Sequence, residues 1–155
     1  MRRNRLWLGI FVLILTCITL FSGCTSTDMG TEPKLAAVNE TTVQSTMVTN
    51  VSAQEAFTLI QEKLDDPHFR IVDVRTPDEY DIGHVNGAIN IDYNSDDFKD
   101  KLATLDKSVE YLVYCRSGNR SSGAVKVMEE LGFAAIYHMV GGIIDWNAEG
   151  LPLTR

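Results

Sequence analysis

One cysteine, two arginines and a glycine crowd a seven-residue stretch: Cys115, Arg116, Ser117, Gly118, Asn119, Arg120, Ser121. It follows the most apolar strand-length run of residues 48–155, Val109 to Tyr114, and leads into an amphipathic pattern, Ser121 to Leu131, closed by Gly132. A thiol between a buried strand and a helix start meets three electrostatic influences. Successive N–H groups of a tight glycine-containing loop form an anion-binding nest. The helix N-terminus adds roughly half a positive charge. Arg116 and Arg120 add two guanidinium groups. Such surroundings lower a thiol pKa from about 8.5 into a range of about 3.5 to 7.5, which gives thiolate at neutral pH. An isolated strand-end cysteine is ordinarily a small buried hydrophobe; the company of Cys115 makes it a candidate nucleophile.

The elements that must position this loop follow from apolar spacing. From Val48 on, strand-length apolar runs alternate with helical patterns, which predicts βαβ units and a mainly parallel sheet. Ser52 and Glu55 make a capping box before Ala56, Phe57, Leu59, Ile60 and Leu64, and Asp65, Asp66 and Pro67 end that helix. Phe69 to Val74 reads as a buried strand. Thr76, Pro77 and Glu79 then start a short helix. Ala88 to Ile91, Val109 to Tyr114 and Phe133 to Val140 are further strands, a short strand near Met47 to Val51 closes onto the sheet, and Gly141 and Gly142 open a last short helix through Trp146. In such a sheet ligands bind at the carboxyl ends of the strands, where Cys115 falls. Asp73 and Arg75 end the second strand at the same edge and read as structural support of the loop, with Arg75 paired to Glu79. The three histidines, 68, 84 and 138, lack ligand spacing, so neither a metal nor a cofactor is expected.

The chain's 155 residues leave room for one domain. Hydrophobic residues make up 45% and charged residues 23%, which excludes collagen-like and wholly disordered chains. The net charge is −7; without Arg2, Arg3 and Arg5, 11 basic residues face 21 acidic ones, a net of −10. Nucleic acid is therefore not expected as a partner.

The loop CRSGNRS, the triplet Asp73-Val74-Arg75, the segment Glu79 to Ala88 and the ending Gly141-Gly142 through Trp146, Gly150 and Pro152 together resemble a single-domain rhodanese. The resemblance spans about residues 50 to 155. It implies a rhodanese-like, doubly wound α/β sheet of about five strands with helices on both faces. It also implies a sulfurtransferase in which Cys115 takes the sulfane sulfur of thiosulfate or a persulfide donor. The Cys115 persulfide then yields that sulfur to a thiol, cyanide or protein acceptor. Backbone amides of Arg116, Ser117, Gly118, Asn119 and Arg120 would hold the sulfur and steady the leaving sulfite. The Arg120 fork would orient the donor, and Arg116 would either bind or merely attract anions. His84 falls in a Gly-His pair that in this family belongs to the scaffold.

Residues 1–23 have a signal-peptide layout: a basic start, 16 residues from Leu6 to Phe21 without charge, then Ser22 and Gly23. With Cys24 the junction resembles the lipobox of prokaryotic lipoproteins, although Phe21 stands where leucine is usual. The resemblance implies lipidation at Cys24, a membrane anchor and an extracytoplasmic domain, residues 48–155, on a flexible tether, residues 24–47. An uncleaved N-terminal helix gives the same topology. Two rival functions remain. One is a persulfide carrier or binding module. The other is a rhodanese-like phosphatase or arsenate reductase, which uses C-x5-R, whereas Arg120 follows Cys115 in a smaller C-x4-R loop.

Overall fold

The computed structural model describes residues 45–155. The expected signal peptide, Cys24 and most of the expected tether lie outside these residues. Ten elements follow in order: β1 (Met47–Val51), α1 (Ala53–Glu62), β2 (Phe69–Asp73), α2 (Pro77–Ile82), β3 (Ala88–Asn90), α3 (Phe98–Ala103), β4 (Glu110–Tyr114), α4 (Asn119–Leu131), β5 (Ala135–Met139) and α5 (Gly142–Ala148).

The five strands form one sheet in the order β1-β5-β4-β2-β3, and every pairing is parallel. Parallel strands need crossovers, and the helices that supply them cover both faces. On one face α3 and α4 bury Phe98, Leu102, Ala124, Val125 and Met128 against Val72, Val113, Ile136 and Cys115. On the other, α1 and α5 bury Ala56, Ile60, Ile143 and Trp146 against Ile71, Leu112, Tyr114 and Met139. The expected doubly wound sheet is thus present, with central β4 nearly without exposed residues.

Two helices begin where their sequences require. Ser52 caps α1 and Thr76 caps α2, each closing a capping box with the carboxylate three residues on. β1, Met47–Val51, closes onto the sheet beside β5 as expected, and the Met47 amide donates to the Ala134 carbonyl. Helix α3 is an addition to the sequence reading. Its six residues are too few to establish an apolar period, and Asp97 makes no side-chain cap. At the C-terminus the His84 and Thr154 backbones exchange two hydrogen bonds, and Trp146 Nε1 donates to the Pro152 carbonyl, which straps the tail to the domain.

Candidate active site

Cys115 immediately follows β4, on the sheet face covered by α4. The amphipathic pattern places the start of the following helix at Ser121. It starts earlier, at Asn119 with Gly118 as N-cap, so Asn119 and Arg120 lie in its first turn. Gly118 has φ +92°, and a Cβ there would collide with the Val140 carbonyl oxygen. The loop therefore turns so sharply over the sulfur because residue 118 lacks a side chain.

Burial raises the Cys115 thiol pKa, and four hydrogen bonds oppose it. The Ser121 hydroxyl, followed by the backbone amides of Ser121, Ser117 and Gly118, favours the charged sulfur, and the balance lies below the ordinary thiol value. Ser121 Oγ stands 3.4 Å from Cys115 Sγ. Of the five loop residues expected to bind substrate, Ser117 and Gly118 thus present their amides to the sulfur. Arg116, Ser117 and Asn119 are exposed, while Gly118 is buried.

The loop is held from behind by α5. The Ile143 amide donates to the Cys115 carbonyl at 2.9 Å and the Ile144 amide to the Arg116 carbonyl at 3.1 Å. A Cβ at Gly142, whose φ is +60°, would stand 2.5 Å from the Cys115 carbonyl oxygen. Gly142, read from sequence with Gly141 as the opening of the last helix, is the place where two backbones touch.

Arg120 is engaged differently from the expectation. Its guanidinium forms a two-pronged ion pair with Glu79, at 2.6 and 2.8 Å. The Arg120 fork holds the Glu79 carboxyl down to about 2, against desolvation and with help from the Thr76 amide. The expected Arg75–Glu79 pair is therefore not formed. Arg75 instead turns back to Asp73: its Nε lies 3.0 and 2.9 Å from the two carboxylate oxygens and its terminal nitrogen 2.6 Å from one of them, with a further bond to the Gly83 carbonyl. The cause is burial. Asp73 is 0% and Arg75 5% exposed, and a buried carboxylate two residues away holds a buried cation more firmly than the half-exposed Glu79 could. The Arg75 guanidinium lies 5.8 Å from the Tyr114 ring, on the face opposite the Cys115 sulfur. Asp73 and Arg75 thus touch the residue before Cys115 and not the sulfur itself.

His84 stacks on Tyr80, with ring centroids 3.6 Å apart, away from Cys115. His138 is a site neighbour that the sequence reading missed. It sits near the end of β5, 8% exposed, with Nε2 2.9 Å from Ser121 Oγ and Nδ1 3.3 Å from Asn50 Oδ1 on β1. The available signal was a polar residue on the core-facing side of an apolar strand, at the carboxyl edge. Among the described residues no group of three His, Cys, Asp or Glu side chains is gathered as a metal ion would require.

Three similarities bear on this arrangement. A rhodanese-related protein from Thermoplasma volcanium superimposes with a TM-score of 0.57 and 29% identity, covering 68% of this chain and 97% of that one. A rhodanese-like domain protein from Staphylococcus aureus gives 0.54 and 30%, covering 69% and 99%. The tRNA uridine(34) hydroxylase of Yersinia pestis (strain Pestoides F) is 35% identical over 104 residues, which are 61% of this chain and 29% of that protein. The chain thus spans less than a third of the length of that curated relative. The rhodanese-like domain family matches residues 57–149, more than half the chain, and that segment holds β2 through α5 with the whole cysteine loop. On fold and sequence together, the chain belongs to the rhodanese-like domain family, whose superfamily is of the sulfurtransferase type.

Proposed function

We propose that the protein is a sulfurtransferase that moves a sulfane sulfur from thiosulfate, or from a persulfide donor, through a Cys115 persulfide. The observation that carries the reading is the single sulfur at a helix N-terminus whose pKa is lowered although it is buried. The Cys115 thiolate attacks the outer sulfur of the donor. The sulfur–sulfur bond of thiosulfate breaks and sulfite leaves with the bonding pair. The Ser117, Gly118 and Ser121 amides that hold the thiolate suit the persulfide anion equally well. A thiol, cyanide or a protein acceptor then attacks the outer sulfur and restores the thiolate.

Because Glu79 occupies the Arg120 fork, an arriving sulfonate competes with a carboxylate for that cation. Arg116, exposed at the loop rim, supplies the second positive charge. The hydroxylase named for the longer relatives acts on tRNA, whereas the net charge of −7 here repels a polyphosphate backbone, so tRNA chemistry is not the reading adopted. The smaller C-x4-R loop likewise favours a sulfur atom over phosphate or arsenate. At the N-terminus, residues 1–23 serve as a lipoprotein signal and Cys24 carries the acyl anchor, which holds the domain outside the cytoplasm.

Mass spectrometry of the chain before and after thiosulfate, with acceptor turnover followed in parallel, tests the reading. One sulfur gained at Cys115 and removed by acceptor over many cycles supports it. A gain without turnover favours a carrier, and no gain by a folded chain with an intact thiol refutes it. Cys115→Ala is expected to abolish transfer while the domain remains folded.

A further inference from the structure

The Ser121 hydroxyl has one proton to give and three neighbours that accept it: Cys115 Sγ, the Gly118 carbonyl at 3.0 Å and His138 Nε2. Asn50 resolves the direction. Its Oδ1 accepts only, so His138 carries a proton on Nδ1 and leaves Nε2 as a bare acceptor. Beside the thiolate the Ser121 hydroxyl donates to the sulfur; beside the thiol its proton turns to Nε2 and its lone pair accepts from the sulfur–hydrogen bond. The four groups line up as one directed chain from sulfur through hydroxyl and imidazole to amide. Ser121 is 0% exposed and Cys115 1%, so water has little access to either end of the first bond.

We propose that His138 is the buried proton acceptor for Cys115, acting through Ser121. The proposal rests on the sulfurtransferase reading for its purpose but not for its chemistry. The sulfur–hydrogen bond breaks as its proton passes to Ser121 Oγ, while the Ser121 proton passes to His138 Nε2. The products are a thiolate and an imidazolium whose Nδ1–H remains on Asn50 Oδ1. When an acceptor removes the persulfide sulfur, the same path returns the proton to Cys115. Since His138 never touches the sulfur, it is a positioning residue for the nucleophile. Burial keeps its pKa below the ordinary histidine value although the Gly118 carbonyl pulls upward, so the ring stands neutral and able to accept. Asn50 on β1, Val113 on β4, and Ser121 and Gly118 at the start of α4 stand beside it; Cys115 is the titratable group among its neighbours.

The test is the pH profile of iodoacetamide alkylation of the full chain, read at the Cys115 peptide by mass spectrometry. His138→Gln is expected to slow alkylation near neutral pH by about tenfold, less than a positioned base supplies alone because the amides already favour thiolate. The loss should vanish above the ordinary thiol value of about 8.5, where the thiol ionises without a base. Ser121→Ala should reproduce the effect, the double variant should add nothing, and Ser121→Thr should restore the rate. Asn50→Ala, an exposed change that leaves the core intact, should slow neutral alkylation by about fivefold, one hydrogen bond's worth. A His138→Gln or Asn50→Ala profile that overlies wild type overturns the proposal, as does a loss equal at every pH. If alkylation behaves as expected but thiosulfate loads no sulfur, the relay stands and the sulfurtransferase reading falls.

Discussion

Replacing Glu79 by glutamine separates the two tasks that the structure gives this side chain. Its carboxylate closes the capping box of α2 through the Thr76 amide, and it holds Arg120 across from α4. Glutamine keeps an oxygen for Thr76 and removes the charge that Arg120 meets. Depression of the Glu79 carboxyl from 4.5 to about 2 corresponds to about 3 kcal/mol between its charged and neutral forms. The side chains of Arg120 and Glu79 are 22% and 29% exposed, so solvent screening leaves about 1–2 kcal/mol of this as folding stability. Because the folded-state value lies below the ordinary one, this contribution is complete at neutral pH. It declines once the pH drops below about 4.5 and is lost as the pH falls through about 2. Urea denaturation of wild type and Glu79→Gln should therefore differ at pH 7 by about 1–2 kcal/mol and converge as the pH approaches 2. A difference that persists unchanged in acid would show that packing, not charge, was removed, and no difference at pH 7 would refute the ion-pair argument. The same variant frees the Arg120 fork, so thiosulfate should load Cys115 at lower concentration than in wild type.

Other substitutions probe other parts of the frame. Asp73→Asn leaves the buried Arg75 cation without its counter-charge and should cost about 3–5 kcal/mol by urea denaturation and slow sulfur loading of the folded fraction; a variant neutral in both would sink the support role. Gly142→Ala drives a methyl against the Cys115 carbonyl at a positive φ, so a loss of about 1–3 kcal/mol together with slower Cys115 alkylation is expected, and full reactivity would show that the loop tolerates displacement. Cys24→Ser should abolish lipid attachment as read by intact mass, and unchanged mass with membrane retention would favour an uncleaved helix.

Local signals made the fold legible. Val109 to Tyr114 is apolar enough to mark the central strand, and Ser52 with Glu55 and Thr76 with Glu79 mark two helix starts because a capping box is written within four residues. Helix α3 carried no such signal. At the site, the nest around Cys115 was legible for the same reason: its glycine, its helix start and its sulfur are contiguous. The pairing of charges was not. Arg75 lies four residues from Glu79 in sequence and Arg120 forty-one, yet Glu79 pairs with the distant one. Burial of Asp73 decided the matter, and burial is set by the sheet as a whole.

The two faces of the sheet divide the work on one strand end. Tyr114 points to the face where Arg75 lies against its ring and the Val85 amide donates to its hydroxyl at 3.0 Å. Cys115, one residue on, points to the opposite face, where Ser121 and His138 wait. The alternation of side chains along β4 thus puts a rigid support and a reactive sulfur back to back. Fixing Tyr114 from one side fixes the Cys115 backbone, and the α5 amides hold its carbonyl, so the sulfur keeps its place among the loop amides. A nest lowers a thiol pKa only while its N–H groups converge on one point. The buried Asp73–Arg75 pair, distant from the chemistry and weak evidence for stability in itself, serves by keeping that point still.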